Sequence, residues 1–276
     1  MQAPTLIPLD TEYDWDREEA YTTDKFFAMT DKVATKYFYG FFHPLGQRLI
    51  EGSLCPDELR FLASQEYHYF ASTTWWNAMK IAQSDTLEQQ QLLFGPFIDE
   101  LGYNLVRQNG EIAHTLLFLR YCEGLGLKKN DVINAVLVPS VILAVTELRR
   151  IAYDRPQFEF IACSNLVVEK MRPIHYRKLL KTFSTHYSWV PESSLTFFKV
   201  HSELDSEHTS IGRRIVESYA YSKRDQDAIF SAILRSLSLR LVMYDGIEAA
   251  MNYPNRVGIK VWPNFPREPW PHPKKS

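Results

Sequence analysis

The sequence HSELDSEHTS, which begins at His201, contains two histidines and several acidic residues within a few positions. On an α-helix each residue turns about 100°, so His201, Asp205 and His208 share one face over two turns. Imidazole, carboxylate and imidazole form a common ligand set for iron, manganese or zinc. Glu203 and Glu207 point elsewhere and are expected to be solvated. The same pattern is typical of a charged helix surface, so a metal site requires partners on other helices.

Candidate partners for that helix face lie in three other segments. Glu169 follows SNLVV, and a lone carboxylate among apolar neighbours is costly to bury unless it is paired or metal-bound. Glu100 lies in DELGYN, and Glu111 and His114 have the Glu-x-x-His spacing found in carboxylate-bridged di-iron bundles. Each segment alone is compatible with an ordinary amphipathic helix or a structural histidine. Together, these carboxylates and histidines could hold two iron ions and leave open positions for O2.

The elements that must position these residues are predicted as helices. Apolar residues recur at helical spacing from Asp24 onward, and Pro56, followed by two acidic residues, suits a first helical turn. A long helix across Glu169 is expected to be bent or tightened by Pro173. Alternating strand patterns are rare and short. We therefore predict an all-α protein, a single bundle of about seven to nine helices.

Composition divides the chain into three parts. Residues 1–23 are acidic and lack a sustained period, so we expect an N-terminal arm. Residues 24–252 carry the helical domain. Residues 253–276 form a Pro/Trp-rich C-terminal tail that cannot be helical throughout.

Charge, cysteines and hydropathy exclude several classes of protein. With 45% hydrophobic residues, 276 residues can bury a sizeable core, and a net charge of −2 lacks the basic footprint of a nucleic-acid-binding protein. The three cysteines have neither disulfide-framework nor zinc-motif spacing. The longest apolar run, AVLVPSVILAV, is too short to span a bilayer, and no signal-peptide pattern is visible. We expect a cytoplasmic protein without a nucleic-acid or membrane partner.

Several segments, taken in order, resemble the superfamily of haem-oxygenase-like di-iron oxidases and oxygenases, relatives of the PqqC and TenA folds. The matching segments are HPLGQRLIEGSLCPDELRFLASQEYHY, DELGY followed by a histidine helix, VVEKMRP and FFKVHSELDSEH. The resemblance implies a haem-oxygenase-like bundle with about seven helices around the site and no haem. It also implies six metal ligands, namely Glu100, His114, Glu169, His201, Asp205 and His208.

Two departures from the family pattern leave alternatives open. The spacing from Glu100 to His114 is longer than is typical of the family, so Glu111 is an alternative or additional ligand. Some N-oxygenating members recruit a further carboxylate from an early helix. Glu66, in SQEYHYF, is a candidate for that role here, and the favoured interpretation is a solvent-facing glutamate.

The resemblance further implies a non-haem enzyme that uses two Fe ions, cycling between Fe2+ and Fe3+, together with O2. We expect a small carboxylate substrate in a specialised biosynthetic pathway, with a free amino acid or amine undergoing C–H or C–C oxidation or N-oxygenation. The alternatives are a fatty-acid oxidative decarboxylase that forms a terminal alkene, a metal-free TenA- or PqqC-like enzyme, and a non-catalytic interaction module.

Substrate contacts are assigned to Arg172, Arg213 and Tyr67. A guanidinium close to the ligands could bind a substrate carboxylate, and the aromatic ring could line an apolar pocket, although such residues are also common on surfaces and in cores. The expected partners are a small-molecule substrate and an external electron donor that resets the site. A homodimer is left open.

Overall fold

The structure, a computed structural model, describes residues 12–103 and 112–252. Within these ranges the chain forms helices joined by turns and contains no β-strand, which confirms the all-α prediction. The predicted tail at 253–276, Glu111 and the first eleven residues of the predicted arm lie outside the described ranges. None of the described helices combines the length and the apolar composition that crossing a membrane would require.

The first half of the chain contains α1 (Thr23–Tyr37), α2 (Tyr39–Phe42), α3 (Pro44–Glu51), α4 (Pro56–Phe70), α5 (Thr73–Ala82) and α6 (Leu87–Glu100). The second half contains α7 (His114–Gly124), α8 (Lys129–Ile133), α9 (Pro139–Asp154), α10 (Gln157–Cys163), α11 (Lys170–Thr185), α12 (Thr196–Glu217) and α13 (Lys223–Asn252). A π-helical segment, Ser164–Glu169, joins α10 to α11, and a 3-10 turn, Glu192–Leu195, precedes α12.

The described ranges hold more helical segments than the seven to nine predicted, because local backbone constraints divide continuous apolar patterns. Phe38 and His43 both adopt extended backbone angles, which separates α1, α2 and α3. A proline disfavours helical angles in the residue before it, and Pro44 therefore accounts for the break at His43. At the start of α4, Pro56 occupies the first turn as predicted, and the Glu58 carboxylate accepts a hydrogen bond from the Cys55 backbone N–H at 2.9 Å.

The long helices pack side by side around two groups of buried apolar residues. α12 packs against α11 and the π-helical segment, while α13 packs against α9 and α10. The described part of the N-terminal arm lies on α13: the Tyr13 ring stacks on Phe230 at 3.9 Å, and its hydroxyl donates to Asp227 at 2.7 Å.

The helix predicted across Glu169 contains a widened turn rather than a simple bend. Pro173 lies inside α11, where it cannot donate a backbone hydrogen bond to the carbonyl of Glu169, and its ring crowds that carbonyl. Immediately before it, Ser164–Glu169 is π-helical. The prediction that Pro173 would bend or tighten the helix therefore missed the widening. π-Helical turns often occur at functional sites, and Glu169 is the last residue of this one.

Candidate metal centre

One face of α12 is buried, as its helical spacing predicts. His201, Asp205 and His208 are between 1% and 4% exposed, whereas Glu203 and Glu207 are exposed. The prediction that His201, Asp205 and His208 face the interior while the two glutamates face solvent is therefore confirmed. Three side chains with metal-ligating chemistry point from this helix into the protein.

Glu100, His114 and His201 form a tight group of potential ligands. Glu100 is the last residue of α6 and His114 is the first residue of α7, so two helix ends meet the buried face of α12. His114 Nδ1 lies 3.3 Å from Glu100 Oε2, and His201 Nε2 lies 3.7 Å from Glu100 Oε1. Each residue offers one potential metal-ligand atom, and these three atoms all lie within 4.8 Å of one another. The chain thus brings one carboxylate and two imidazoles to a common point.

The two histidines of this group differ in how they are held. His201 Nδ1 lies 2.9 Å from the Phe197 carbonyl, one turn earlier on α12, which leaves Nε2 directed toward Glu100. A histidine held in this way through one nitrogen presents the other as a metal donor. His114 has no hydrogen-bond partner for either nitrogen among the described residues, because its contact with Glu100 lacks hydrogen-bonding geometry. A buried imidazole without a partner needs an explanation, and a metal ion supplies one.

Of the other three predicted ligands, Asp205 and His208 lie on the same helix as His201, and Glu169 ends the π-helical segment. His208 Nδ1 is 4.0 Å from Asp205 Oδ1, and its Nε2 is 3.4 Å from Asp99 Oδ2. Asp205 Oδ2 has no hydrogen-bond partner within the described ranges and lies 4.0 Å from Arg172 Nη1. Glu169 is buried opposite this pair. These residues are close neighbours of the first group but do not form an equally compact set.

Asn165 connects the π-helical segment to α12. Its amide nitrogen donates to Glu169 Oε2 at 2.6 Å and to the His208 carbonyl at 2.9 Å. Lys80 of α5 donates to Asn165 Oδ1 at 2.9 Å and lies 3.6 Å from Glu169 Oε1. The widened turn therefore places Asn165 and Glu169 together against the ligand face of α12.

Charges of both signs shift the pKa values in the first group. Burial raises the pKa of Glu100, but the imidazoles of His114 and His201 outweigh that effect and hold it well below its usual range. Burial lowers the pKa of His114, yet the Glu100 carboxylate raises it above the usual histidine value. Burial, reinforced by His114, lowers the pKa of His201 to about 4. His201 is therefore a neutral donor at physiological pH.

In the second group the pKa of the carboxyl group is raised rather than lowered. Burial raises the pKa of Asp205 to about 8, although Arg172 opposes this shift. Burial lowers the pKa of His208, but its contact with Asp99 and the nearby carboxylates of Glu169 and Asp205 raise it to about 9. Without a bound cation this side of the cluster therefore retains protons at pH 7.

Not every residue assigned from the sequence reaches the cluster. Arg172 is buried and contacts Asp205, as expected of a residue beside the ligands. Arg213 instead lies over the Phe27 ring and 3.9 Å from Asp31 at the surface, because it is five residues beyond His208 and so on a different face of α12.

Tyr67 is also away from the cluster. Its half-buried ring contacts the His68 ring, with centroids 5.3 Å apart, whereas Tyr69, two residues later, faces the interior. Glu66 is partly buried and accepts a hydrogen bond from the Tyr244 hydroxyl. Burial raises the pKa of Glu66 to about 7, with Tyr244 and Arg172 opposing the shift. The assignments of Arg213 and Tyr67 to substrate contacts thus receive no support from their positions.

A narrow cavity adjoins the two carboxylates Glu100 and Glu169. It is lined by aromatic rings and by three buried cations, namely Lys80, Arg172 and Arg240. Neither Lys80 nor Arg240 is among the residues predicted from the sequence. A lone lysine within TTWWNAMKIA was the available signal for Lys80, because a charged residue on an apolar helix is rarely buried without a partner.

Comparison with known proteins places these features in a family. Residues 60–241 match the family model described as iron-containing redox enzyme. The chain is 25% identical over 213 residues to a pyrroloquinoline-quinone synthase of Granulibacter bethesdensis, a match that covers 77% of this chain and 80% of that protein.

Solved structures show the same fold at lower identity. A TenA homologue from Pseudomonas syringae pv. tomato superposes with a TM-score of 0.69 at 11% identity, covering 87% of this chain and 98% of that one. A domain of unknown function with a haem oxygenase-like fold from Shewanella denitrificans gives 0.65 at 17% identity, covering 88% and 96%. The fold is therefore haem oxygenase-like, and since the family model spans most of the chain, this protein belongs to the family of iron-containing redox enzymes.

Proposed function

We propose that this protein is a non-haem di-iron, O2-dependent oxidoreductase that acts on a small carboxylate, with a free amino acid or an amine-bearing carboxylate as the first candidate. The observation that carries the proposal is the convergence of Glu100, His114 and His201 to within 4.8 Å, with both nitrogens of the buried His114 lacking partners among the described residues. Family membership supports the use of iron.

The residues present fit iron by their chemistry. Imidazole nitrogens and carboxylate oxygens are suitable ligands for Fe(II), and both groups of side chains offer them. Glu100, His114 and His201 would hold one ion, and Glu169, Asp205 and His208 would hold the other. Glu111 stays an alternative or additional ligand. When bound, the iron pair would supply the electrons and open coordination positions that O2 activation requires.

The protein's own groups prepare this site in two ways. Burial of the six candidate ligands excludes water, which strengthens every electrostatic interaction among them. Thr73 donates to Glu100 Oε2 at 3.5 Å, and Asn165 donates to Glu169, so two carboxylates are oriented by neighbouring side chains. The raised pKa values of Asp205 and His208 act against this preparation, because each group would have to release a proton before it could act as a ligand.

The cavity beside Glu100 and Glu169 favours a small substrate. Its volume is about 20 Å³, room for one water-sized group, so side chains on its wall must move apart to admit any organic substrate. Tyr69, Trp76 and Phe160 are among the residues that line it. Buried cations on its wall favour a negatively charged group. A long fatty acid, the substrate of an alkene-forming decarboxylase, would need considerably more space. An external electron donor would return the site to its starting state.

A metal-free enzyme of the TenA or PqqC type is the principal competing function. The match to a pyrroloquinoline-quinone synthase favours it, since that protein shares a quarter of its aligned residues with this chain. A metal-free enzyme gives no reason for the convergence of carboxylates and unpartnered histidine nitrogens. A non-catalytic interaction module gives no reason for burying them.

Iron binding tests the proposal directly. The protein is loaded with Fe(II) without air, and unbound iron is removed before iron per chain is measured. We expect about two iron ions per chain, with marked loss in His201→Ala and Glu169→Ala. Glu203→Ala and Glu207→Ala remove exposed acids from the same helix as His201 and should bind iron normally. A wild-type protein without iron, or equal binding by all variants, would contradict the di-iron function.

Substrate class is tested on the loaded protein by O2 uptake. A panel of amino acids, amines, short carboxylates and fatty acids is compared at equal concentration. We expect the amino acids or amine-bearing carboxylates to accelerate O2 consumption most. Acceleration only by fatty acids, with a terminal alkene as product, would replace this substrate class with the decarboxylase alternative.

A further inference from the structure

Arg240 is a buried guanidinium in α13 whose hydrogen bonds are all accepted by neutral oxygens. It is 3% exposed. Nε and Nη2 donate to the Tyr69 hydroxyl at 3.1 and 2.8 Å, and Nη1 donates to the Ser236 carbonyl at 2.9 Å and to the Ser236 hydroxyl. No carboxylate of the described residues lies within salt-bridge distance of Arg240. Its positive charge is therefore not compensated locally.

The other two cations on the cavity wall do have carboxylate neighbours. Lys80 lies 3.6 Å from Glu169, and Arg172 lies 4.0 Å from Asp205. Burying a charge is strongly unfavourable unless it is paired, so a cation in a cavity without an acidic partner indicates a place for an anion from outside the chain. Among the described residues, Arg240 has no carboxylate at either of these distances, whereas Lys80 and Arg172 do.

Tyr69 adds a directed donor to the same place. A tyrosine hydroxyl has one proton to donate and lone pairs that accept, and Arg240 uses its accepting side twice. The Tyr69 hydroxyl donates to no acceptor within the described ranges. Both residues line the cavity that extends to Glu100 and Glu169. A hydroxyl proton and a guanidinium at one end of a cavity are matched to a carboxylate, which accepts from both.

We propose that Arg240 and Tyr69 bind the carboxylate of the substrate, with the rest of the substrate directed along the cavity toward Glu100 and Glu169. The assignment deepens the function proposed above and rests on it for the reaction, but the binding step requires no metal. It gives Arg240 and Tyr69 the substrate-binding role that the sequence assigned to Arg213 and Tyr67. Arg172, the third residue so assigned, lies 4.0 Å from Asp205 instead.

Binding of a small carboxylate to the metal-free protein tests this anchor. Butanoate, butan-1-ol and butylamine are titrated into chelator-treated protein and followed by calorimetry. Because a hydrogen bond to a charged group contributes about 1.5–3 kcal/mol, we expect butanoate to bind about tenfold or more tightly than the alcohol. Butylamine should not bind. Equal binding of acid and alcohol by the wild-type protein would overturn the anchor.

Variants identify the residues responsible. Arg240→Gln should remove the preference for butanoate over butan-1-ol while leaving alcohol binding unchanged, and Arg240→Lys should restore part of it. Arg235→Gln removes an exposed guanidinium from the same helix and should bind as the wild type does. A preference that persists in Arg240→Gln would overturn the assignment, since a purely structural arginine would alter both ligands alike.

Two further results keep the test decisive. If Arg240→Gln does not fold, Tyr69→Phe is measured in its place. This variant retains the charge of Arg240 but loses the hydroxyl proton, so it should lower the preference for butanoate several-fold. An unchanged preference would contradict the anchor. Iron loading is measured separately on the same preparations. Carboxylate binding without iron binding would reject the di-iron function and keep the anchor, whereas iron binding without a carboxylate preference would do the reverse.

Discussion

His114 and His175 occupy two regions that look alike by burial and differ in their neighbours. Each is 2% exposed, and neither has a hydrogen-bond partner for either ring nitrogen among the described residues. His175 lies among aromatic rings, with centroids of Phe38 and Phe41 at 5.6 and 5.4 Å. His114 lies against the carboxylate of Glu100.

The neighbours reverse the effect of burial on the pKa. Around His175, burial and then the positive charges of Arg172 and Lys178 lower the pKa to about 3. Around His114, burial acts in the same direction, but Glu100 and Asp205 outweigh it and raise the pKa. An unpartnered buried histidine is therefore not by itself a metal ligand. Carboxylates that would share the ion distinguish the candidate site from the aromatic pocket.

The largest expected difference between the two regions is in iron binding. His114→Leu should weaken Fe(II) binding on the order of 100-fold or more, because loss of an outer partner alone typically costs 10- to 100-fold. His175→Leu, the same substitution at equal burial, should leave iron binding unchanged. Anaerobic competition against a chelator of known affinity measures both. Equal weakening in the two variants would show that fold disruption, rather than ligand loss, explains the result.

The next effect is a dependence of stability on pH that comes from His175. In the unfolded chain its pKa is about 6.5, and in the folded protein it is about 3. Between these values the unfolded state binds a proton that the folded state does not bind. The contribution of His175 to the free energy of unfolding is therefore complete above pH 6.5 and is lost as the pH falls. Linkage predicts a loss of about 2 kcal/mol in the free energy of unfolding between pH 7.5 and pH 5.

Urea unfolding of metal-free protein across that pH range measures the loss. In His175→Leu this component should disappear, leaving a shallower pH dependence than in the wild type. Neither ring nitrogen has a partner among residues 12–103 and 112–252, so the leucine leaves no polar group of that part of the chain unsatisfied. The effect of His114 on the pH dependence of stability has the opposite sign. Because its pKa is raised in the folded protein, its contribution to stability is complete below pH 6.5 and is lost as the pH rises. Identical pH profiles in wild type and His175→Leu would contradict the lowered pKa.

Sequence patterns predicted the parts of the site that follow from regular helix geometry. The face shared by His201, Asp205 and His208 follows from the turn angle of an α-helix, and its burial is observed. Glu100 and His114 were identified by resemblance to a family, and their helices bring them together. Distances between separate helices depend on packing across the whole chain, so periodicity could not supply them.

The unpredicted features depend on irregular backbone and on long-range pairing. The π-helical turn that sets Asn165 and Glu169 has the local composition of an ordinary buried helix, and Pro173 indicated a disturbance without its form. Lys80 lies 85 residues before its hydrogen-bond partner Asn165, and Arg240 lies 171 residues after Tyr69. No local motif encodes such pairs, because they form only when distant helices pack.

Two glycines allow the two regions to be perturbed separately. A Cβ added at Gly212 of α12 would lie 2.2 Å from the Asn165 Cβ, and one added at Gly40 would lie 2.6 Å from His175 Nε2. Gly212→Ala should force the π-helical segment away from α12 and weaken Fe(II) binding about tenfold, because Asn165 orients Glu169. Gly40→Ala should lower stability by about 1 kcal/mol or more without changing iron affinity.

Chelator competition and urea unfolding of both glycine variants separate the two outcomes. Gly95→Ala is the control, since nothing lies within 4 Å of its added Cβ and alanine favours a helix over glycine. It should leave iron affinity unchanged and should not destabilise the protein. If Gly212→Ala binds iron as the wild type does, Asn165 is not required to position Glu169.

The smallest effect is expected at Glu66. This residue is partly buried, and it lies neither in the candidate metal site nor in the aromatic pocket around His175. Its carboxyl accepts a hydrogen bond from Tyr244 and has a pKa of about 7, raised by burial, so it is partly protonated at neutral pH. Such a group is a poor iron ligand unless an ion displaces its proton. Glu66→Gln retains the shape and the acceptor oxygen for Tyr244, and should leave iron per chain and affinity unchanged. Glu169→Gln, the matched change, should lower both. If Glu66→Gln instead loses iron to the same extent, Glu66 is a seventh ligand, and a raised pKa with a tyrosine partner does not distinguish structural carboxylates from metal-binding ones in this protein.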